Sequence, residues 1–235
     1  TLDYFNIDPV RPEKVKSIEI GYRTTLLNRI YLDASYYYSV YKDFLGYNLG
    51  ADVHYDPGFN WLNINNFYRV AANADSTVTT RGFSVGINYF FKKFISINGN
   101  YSWNILAKTG TDDPIVPAFN TPEHKYNIGM SGRDITTRIK LSNIWRKIPN
   151  IPIRNFGFSF KYKWVEGFEY EGSPQFTGYV PTYDMFDIQI SKHIPKIDAT
   201  FKLGASNLFD NKKFQVYGGP RIGRLVYFSI LVEIE

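Results

Sequence analysis

The chain has 235 residues, no cysteine, 19 Tyr, 19 Phe and 4 Trp, and carries a formal net charge of +5. Hydrophobic residues make up 44 % and aromatics 18 %, yet mean hydropathy is only −0.28. No run of roughly 20 apolar residues exists, which excludes a helical membrane protein, and the aromatic content excludes a disordered chain.

Along the chain the dominant period is two. Residues 15–23 place Ile18, Ile20 and Tyr22 on one face. Residues 30–40 set Ile30, Leu32, Ala34, Tyr36, Tyr38 and Val40 against Tyr31, Asp33, Ser35, Tyr37 and Ser39. Residues 83–91 set Phe83, Val85, Ile87 and Tyr89 against Ser84, Gly86 and Asn88. Residues 94–105 set Ile95, Ile97, Tyr101 and Trp103 against Ser96, Asn98, Asn100 and Ser102. The same rule covers 124–131, 156–164, 183–191, 197–206 and 225–235. About nine strands of roughly ten residues result, the length that spans a bilayer when tilted. Residues 61–82 admit two readings, an extended arm continuing the third strand upward or an extra hairpin.

The connections alternate in length. Tight turns fall near 26–29, 91–93 and 194–197, and longer segments rich in Gly, Pro, Asp and Asn fall near 47–60, 108–121, 171–182 and 209–222. Short turns on one side and long loops on the other mark an outer-membrane barrel. One connection departs from this. Residues 133–154 lie on the short-turn side but are long and basic, and are expected to be an insertion in which Ile135, Ile139 and Ser142 line a helix closed by prolines.

In a soluble sandwich the apolar faces would meet in one core, whereas in a membrane barrel they face lipid. Tyr36, Tyr38, Trp61, Tyr101, Trp103, Tyr162 and Trp164 gather toward strand ends, as interfacial girdles do. Asn98, Asn100, Ser102 and Asn104 suit a wet lumen. The fold class is therefore all-β, an antiparallel transmembrane β-barrel.

Several stretches resemble one family in order. RPEKVKSIEIGYR at 11–23, YYYSVYKDFL at 36–45, TTRGFSVGINYFF at 79–91 with Gly82, TPEHKYNIGMSGRD at 121–134 and YDMFDIQISKHIP at 183–195 are similar to successive strands of TonB-dependent outer-membrane receptors. NLFD at 207–210 with QVYGGPRIGRLVYFSI at 215–230 resembles their C-terminal end, in the version found in Bacteroidetes-type receptors. The resemblance implies a 22-stranded barrel around a plug, of which residues 1–235 are the C-terminal portion of about nine strands, with the plug domain and N-terminal strands absent. An odd strand number cannot close an ordinary bacterial barrel, and open edges in lipid leave costly unpaired N–H and C=O groups. The first residue, Thr1, likewise leads to the expectation of a mature or truncated chain. The family often ends on an aromatic residue, whereas this chain ends Ile234-Glu235.

Catalytic chemistry is not indicated, and no enzyme is expected. His54, His124 and His193 lack metal-ligand spacing, so no metal or other cofactor is expected. GGPRIG at 218–223 precedes no helix and reads as a turn rather than a phosphate cradle. Asp112, Asp113, Glu166, Glu169 and Glu171 fall in or near long loops, where Glu169 and Glu171 with loop carbonyls are a conceivable calcium pair. Lys and Arg are spread along the chain, so nucleic acid is not an expected partner despite a pI near 9.1.

The resemblance implies a Gram-negative outer-membrane location, contact with lipid and lipopolysaccharide, and coupling to a TonB-type protein through the missing N-terminal part. It implies energy-coupled uptake of a scarce nutrient: an iron chelate, cobalamin, a glycan or a peptide. It also allows a surface lipoprotein partner over the loops. The alternative is a non-transport barrel, either a porin or a scaffold subunit. Substrate contacts are expected from loop residues His54, Tyr55, Phe59, Phe119, Phe176, Tyr179, Phe214 and Tyr217.

Overall fold

The computed structural model of the chain describes residues 8–58, 61–92, 94–108, 119–139, 151–172 and 176–233. The chain first forms β1 (Lys14–Leu26) and β2 (Ile30–Lys42), then a hairpin of β3 (Leu45–Asp56) and β4 (Trp61–Asn73). Next come β5 (Val78–Lys92), β6 (Ile95–Lys108), β7 (His124–Ile139) and β8 (Ile151–Val165). A short hairpin, β9 (Phe168–Tyr170) and β10 (Gly178–Val180), precedes β11 (Tyr183–Ile194) and β12 (Ala199–Ser206). The pair β13 (Lys213–Phe214) and β14 (Arg221–Ile222) leads into β15 (Leu225–Val232). Nine of these strands form one antiparallel sheet in the order β1-β2-β5-β6-β7-β8-β11-β12-β15, and each is the sequential neighbour of the last once the hairpins are set aside.

Among the described residues no second layer packs on the sheet. Among the described residues the buried hydrophobics are Ala72, Ala74, Val78, Val165, Val180, Tyr183, Ala199 and Ala205, mostly small and near the mouth. Ile20, Leu203, Phe228 and Ile230 are instead 67, 49, 63 and 54 % exposed. In water such a face would be untenable, whereas in a bilayer hydrocarbon covers it.

Register aligns the two faces from strand to strand. Arg23, Asp33, Gly86, Asn100, Asn127 and Lys163 follow one another across β1, β2, β5, β6, β7 and β8. This polar face lines a broad concavity. The opposite face carries an aromatic belt near the long loops. Phe83 lies 5.6 Å from Tyr101 and 5.7 Å from Trp103, Tyr126 lies 5.3 Å from Trp164, and Phe186 lies 6.4 Å from Phe160.

Two tyrosines brace the inner face in the same way. Tyr37 on β2 lies over Gly82 of β5, and its hydroxyl donates to Asn104 Oδ1 of β6 at 3.0 Å. Tyr227 on β15 lies over Gly204 of β12, and its hydroxyl donates to Gln189 Oε1 of β11 at 2.9 Å. In each case a ring crosses a glycine to tie three strands together, covering backbone that glycine leaves bare.

The nine membrane strands fall where the period-two reading places them. Other expectations change. Residues 47–60 are not an irregular loop: their described part belongs to the long β3–β4 hairpin, which resolves the two readings of 61–82 in favour of a hairpin, with β5 beginning at Val78. Trp61 opens β4, which pairs with β3 outside the nine-stranded sheet. The 133–154 segment contains no helix over its described residues; β7 runs on to Ile139 and β8 starts at Ile151, while Ser142 lies outside them. Asp134 and Asn155 adopt left-handed φ of 53° each, and the register shifts beside both. These bulges reverse the parity, so that Ile135 pairs with the outward Phe156 and Ile139 with Ile151. Strands that change parity midway look aperiodic in sequence.

Gly82→Ala tests the brace. A Cβ there would meet the Trp103 carbonyl oxygen at 2.5 Å and the Tyr37 ring at 2.8 Å. The substitution is expected to cost about 1–3 kcal/mol, and Tyr37→Phe, which loses one hydrogen bond, about 1 kcal/mol. Urea titration of the folded barrel band on unheated gels gives both values.

Candidate functional site

The inner wall is built from short polar side chains that satisfy one another. Arg23 Nε donates to Asp33 Oδ2 at 2.7 Å, Ser35 and Ser84 share a 2.9 Å bond, and Asn127 Nδ2 donates to Asn100 Oδ1 at 2.8 Å. Three lysines stand apart from this pairing. Lys125, Lys161 and Lys163 line the concavity on β7 and β8. Lys161 faces Asp187 across the β8–β11 ladder, but Asp187 Oδ1 accepts the Asn207 N–H at 2.8 Å. None of the three lysines is in an ion pair among the described residues, and the Lys163 ammonium lies 5.6 Å from the centre of the Tyr183 ring. The wall therefore offers ammonium, amide and hydroxyl donors to whatever enters, in a field that favours anions.

The loops at the mouth are held by Asn and Asp. Asn207, left-handed at φ 51° and 3 % exposed, donates through Nδ2 to the carbonyls of Asn211 and Ile222 at 3.2 Å each and accepts the Asn211 N–H at 2.9 Å. Asn211 Nδ2 donates in turn to Asp184 at 2.9 and 3.0 Å. Asp210 Oδ1 accepts the Arg224 N–H at 2.8 Å, and this bond holds its carboxyl below the usual range, with Lys212 at 3.3 Å adding to the effect. The NLFDN stretch thus closes the 207–224 loop on itself.

The neighbouring loop packs on it. Val165, Val180 and Tyr183 form a buried cluster with Phe168, Tyr170, Met185, Phe214 and Tyr217 against it. Asn120 and Glu171 exchange side chain and backbone: Asn120 Nδ2 donates to the Glu171 carbonyl at 3.0 Å, and the Glu171 N–H donates to Asn120 Oδ1 at 2.7 Å. Burial pushes the Glu171 carboxyl above its usual value, Glu169 pushes it further, and Arg69 of β4 opposes both. The base of the β3–β4 hairpin is clamped by Asn73, whose side chain donates to the carbonyls of Arg11 and Asp43 at 2.8 and 2.6 Å and accepts the Arg11 N–H at 2.6 Å.

Of the expected contact residues, four come together. Phe214 and Tyr217 meet edge to face at 5.9 Å, Phe176 lies against Gly218, whose φ is +74°, and Tyr217 lies against Gly178. Tyr179 lies in the same loop pair with its hydroxyl over Gly167. Phe214 and Tyr217 are packed, while Phe176 and Tyr179 are each 52 % exposed. His54 and Tyr55 sit on β3 of the other hairpin, paired with Asn63 and Leu62. Phe119 precedes the Asn120 clamp, and Phe59 lies outside the described residues.

His124 opens β7, with Nδ1 2.6 Å from the Tyr101 hydroxyl, and His193 Nδ1 lies 3.2 Å from Thr200 Oγ1. Glu166 is not a free loop charge: its N–H donates to the His124 carbonyl at 3.0 Å and its Oε2 accepts the His124 N–H at 3.1 Å. Asp112 and Asp113 lie outside the described residues. Among the described residues no three His, Asp or Glu converge on a metal position. The lumen lysines were not singled out from sequence; their signal was parity, since each falls on the polar side of its strand.

The family model described as "TonB dependent receptor-like, beta-barrel" matches residues 2–208. The chain belongs to this TonB-dependent receptor barrel family. No curated protein matches it. Solved structures with the receptor fold include the FrpB iron transporter from Neisseria meningitidis, at TM-score 0.60 and 13 % identity over 95 % of this chain and 31 % of that one. The copper transporter OprC gives TM-score 0.65 and 13 % identity over 94 and 31 %. The ferric-catecholate import receptor Fiu from E. coli K12 gives 0.61 and 13 % over 98 and 29 %. The receptor chain spans about a third of the length of each.

Two tests address the mouth. Asn207→Ala strands buried backbone partners and is expected to cost about 1–3 kcal/mol, read as faster proteolysis within 207–224. Glu171 has a folded pKa above its unfolded value, so its ionisation opposes loop packing. The cost is absent below the ordinary carboxyl value of 4.5, grows as pH rises toward the folded pKa and is complete above it. Glu171→Gln is expected to slow proteolysis of the 166–182 loop at neutral pH and to leave it unchanged in acid.

Proposed function

We propose that this chain is the C-terminal wall and part of the outer mouth of an outer-membrane receptor that imports a scarce nutrient through TonB-type energy coupling. The family match over residues 2–208 carries this reading. The architecture supports it, with an apolar outer face for lipid, a polar inner wall for solute and ordered loops above. The remaining strands, the plug and the coupling segment belong to parts of the protein outside these residues. An iron chelate, cobalamin, a glycan or a peptide all fit a wall of ammonium, amide and hydroxyl donors. Phe176 and Tyr179 make direct contacts at the mouth, with Phe214 and Tyr217 as the packed support beneath, and His54, Tyr55, Phe59 and Phe119 complete the set.

A surface lipoprotein partner has its own observation. One face of the β3–β4 hairpin carries Leu49, Val53, Tyr55, Ile64 and Phe67, exposed by 48–64 %, and a strip of this kind in water calls for cover.

Cells producing the full-length receptor are expected to accumulate labelled nutrient only when the TonB-type protein is present. Accumulation that is indifferent to that protein and linear in concentration would fit a porin and overturn the reading. Phe176→Ala with Tyr179→Ala is expected to weaken nutrient binding about tenfold or more, since each deleted aromatic contact is worth about 0.5–1.5 kcal/mol beyond its buried area.

A further inference from the structure

The loop-side ends of β1 and β2 carry charge on the outward face that the transport reading leaves unused. On β1 the outward residues run Tyr22, Ile20, Ile18, Lys16 and Lys14, and on β2 they run Tyr36, Tyr38, Val40 and Lys42. The pairing of the two strands has no register shift, so the three lysines share the face of Ile18, Ile20 and Tyr22, which are exposed by 60–67 %. On β5 the residue beyond the outward Phe83 is Arg81, whose guanidinium carbon lies 5.9 Å from the centre of the Trp103 ring. Height puts the lysines at the edge of the hydrocarbon. From Leu26, at the short turn, to Lys16 the strand climbs about 25 Å at about 3.3 Å per residue and a tilt of about 40°, which is the height of the apolar band of such barrels.

Lys14 and Lys42 stand directly opposite each other across the ladder, and Lys16 is the next outward residue on β1. Like charges placed opposite each other are destabilising. All three lysines are exposed, and none is in an ion pair among the described residues. The carboxylates adjacent in the chain are engaged elsewhere. Glu13 Oε2 accepts the Leu45 N–H at 3.1 Å, and Asp43 Oδ1 lies 3.3 Å from Arg11. A strand joining the free edge of β1 pairs with its backbone and leaves these side chains facing outward.

We propose that Lys14, Lys16 and Lys42 bind a phosphate of the phosphorylated glycolipid of the outer leaflet, lipopolysaccharide. The proposal rests on the membrane reading above, which puts the long loops outside. Each ammonium has three donors, and phosphate oxygens accept from both strands at once. An anion between Lys14 and Lys42 turns their repulsion into two attractions. The acyl chains of the same molecule lie along Ile18, Ile20 and Tyr22, so the first charged group above them falls at the level of the lysines. The long lysine stems cover apolar surface while their heads reach the headgroup. A zwitterionic headgroup brings its own cation and leaves the repulsion in place.

The test uses the purified full-length receptor in a zwitterionic detergent. Its probe is a short-sugar lipopolysaccharide, either whole or with its phosphates removed, and native mass spectrometry counts the glycolipid that stays bound. Wild type is expected to hold the phosphorylated form preferentially. Each of Lys14→Gln and Lys42→Gln is expected to cut that preference about fivefold, the worth of one lysine near an anionic surface. Lys14→Arg is expected to keep it, and so is Lys196→Gln, in the Pro195–Ile197 turn at the opposite end of the sheet. Inorganic phosphate alone is expected not to displace the glycolipid, whose acyl chains add to its hold. The urea midpoint gives a second readout. Without glycolipid, Lys42→Gln relieves the like-charge pair and is expected to raise the midpoint slightly; with the phosphorylated form present the same variant falls below wild type. Equal binding of the two glycolipids, a preference unmoved by the glutamine variants, displacement by inorganic phosphate, or a midpoint lowered both with and without glycolipid would overturn the proposal. Failure of the wild-type protein to form a barrel band on unheated gels would overturn the membrane reading instead.

Discussion

The structure depends on one constraint: a strand in hydrocarbon must find partners for all its backbone N–H and C=O groups in neighbouring strands. The nine strands pair in sequence order, so that seven have a partner on both sides and β1 and β15 on one side among the described residues, with short turns at one end and ordered loops at the other. Because the ladder supplies the cohesion, no second layer is needed to bury the apolar face. That face is given to lipid, and the inner face is free to be polar. A soluble sheet of the same composition would have to spend its apolar face on a core.

The packing that this design omits from the sheet reappears at the mouth. There the chain is in water and has to hold its loops with its own groups. A small buried cluster around Val165, Val180 and Tyr183 does part of this, and side-chain amides and carboxylates do the rest. The left-handed positions show the same economy. Apart from Leu27, the described non-glycine residues with positive φ are all Asn or Asp: Asn28, Asp43, Asn120, Asp134, Asn155, Asp198, Asn207 and Asp210. These residues tolerate that conformation and can hydrogen-bond locally while in it. Asn207 and Asn120 use the conformation to turn the chain and the side chain to lock it.

The two faces and the mouth differ in what they present. Aromatic pairs such as Tyr126 with Trp164 set the outer face at the interface. Tyr37 and Tyr227 stiffen the inner face across glycines without narrowing it by bulk. The lysines of β7 and β8 leave that face positive, while the arginine and aspartate of β1 and β2 neutralise each other. The mouth therefore presents aromatic surface, and the wall below it is hydrogen-bonding and cationic.

The sequence by itself determined the nine membrane strands, their two faces, the alternation of short and long connections and the family. The strands, faces and connections follow from period two and turn chemistry, which are local and repeat many times, and the family from the resemblance of successive stretches taken in order. The tertiary structure decided what local pattern cannot carry. A single inserted residue at Asp134 or Asn155 reverses parity, and a strand then reads as an aperiodic insertion. The β3–β4 hairpin alternates like a membrane strand, and only its pairing with itself shows that it leaves the sheet. Phe176, Tyr179, Phe214 and Tyr217 lie in two separate loops, and it is the contact between those loops that makes them one surface.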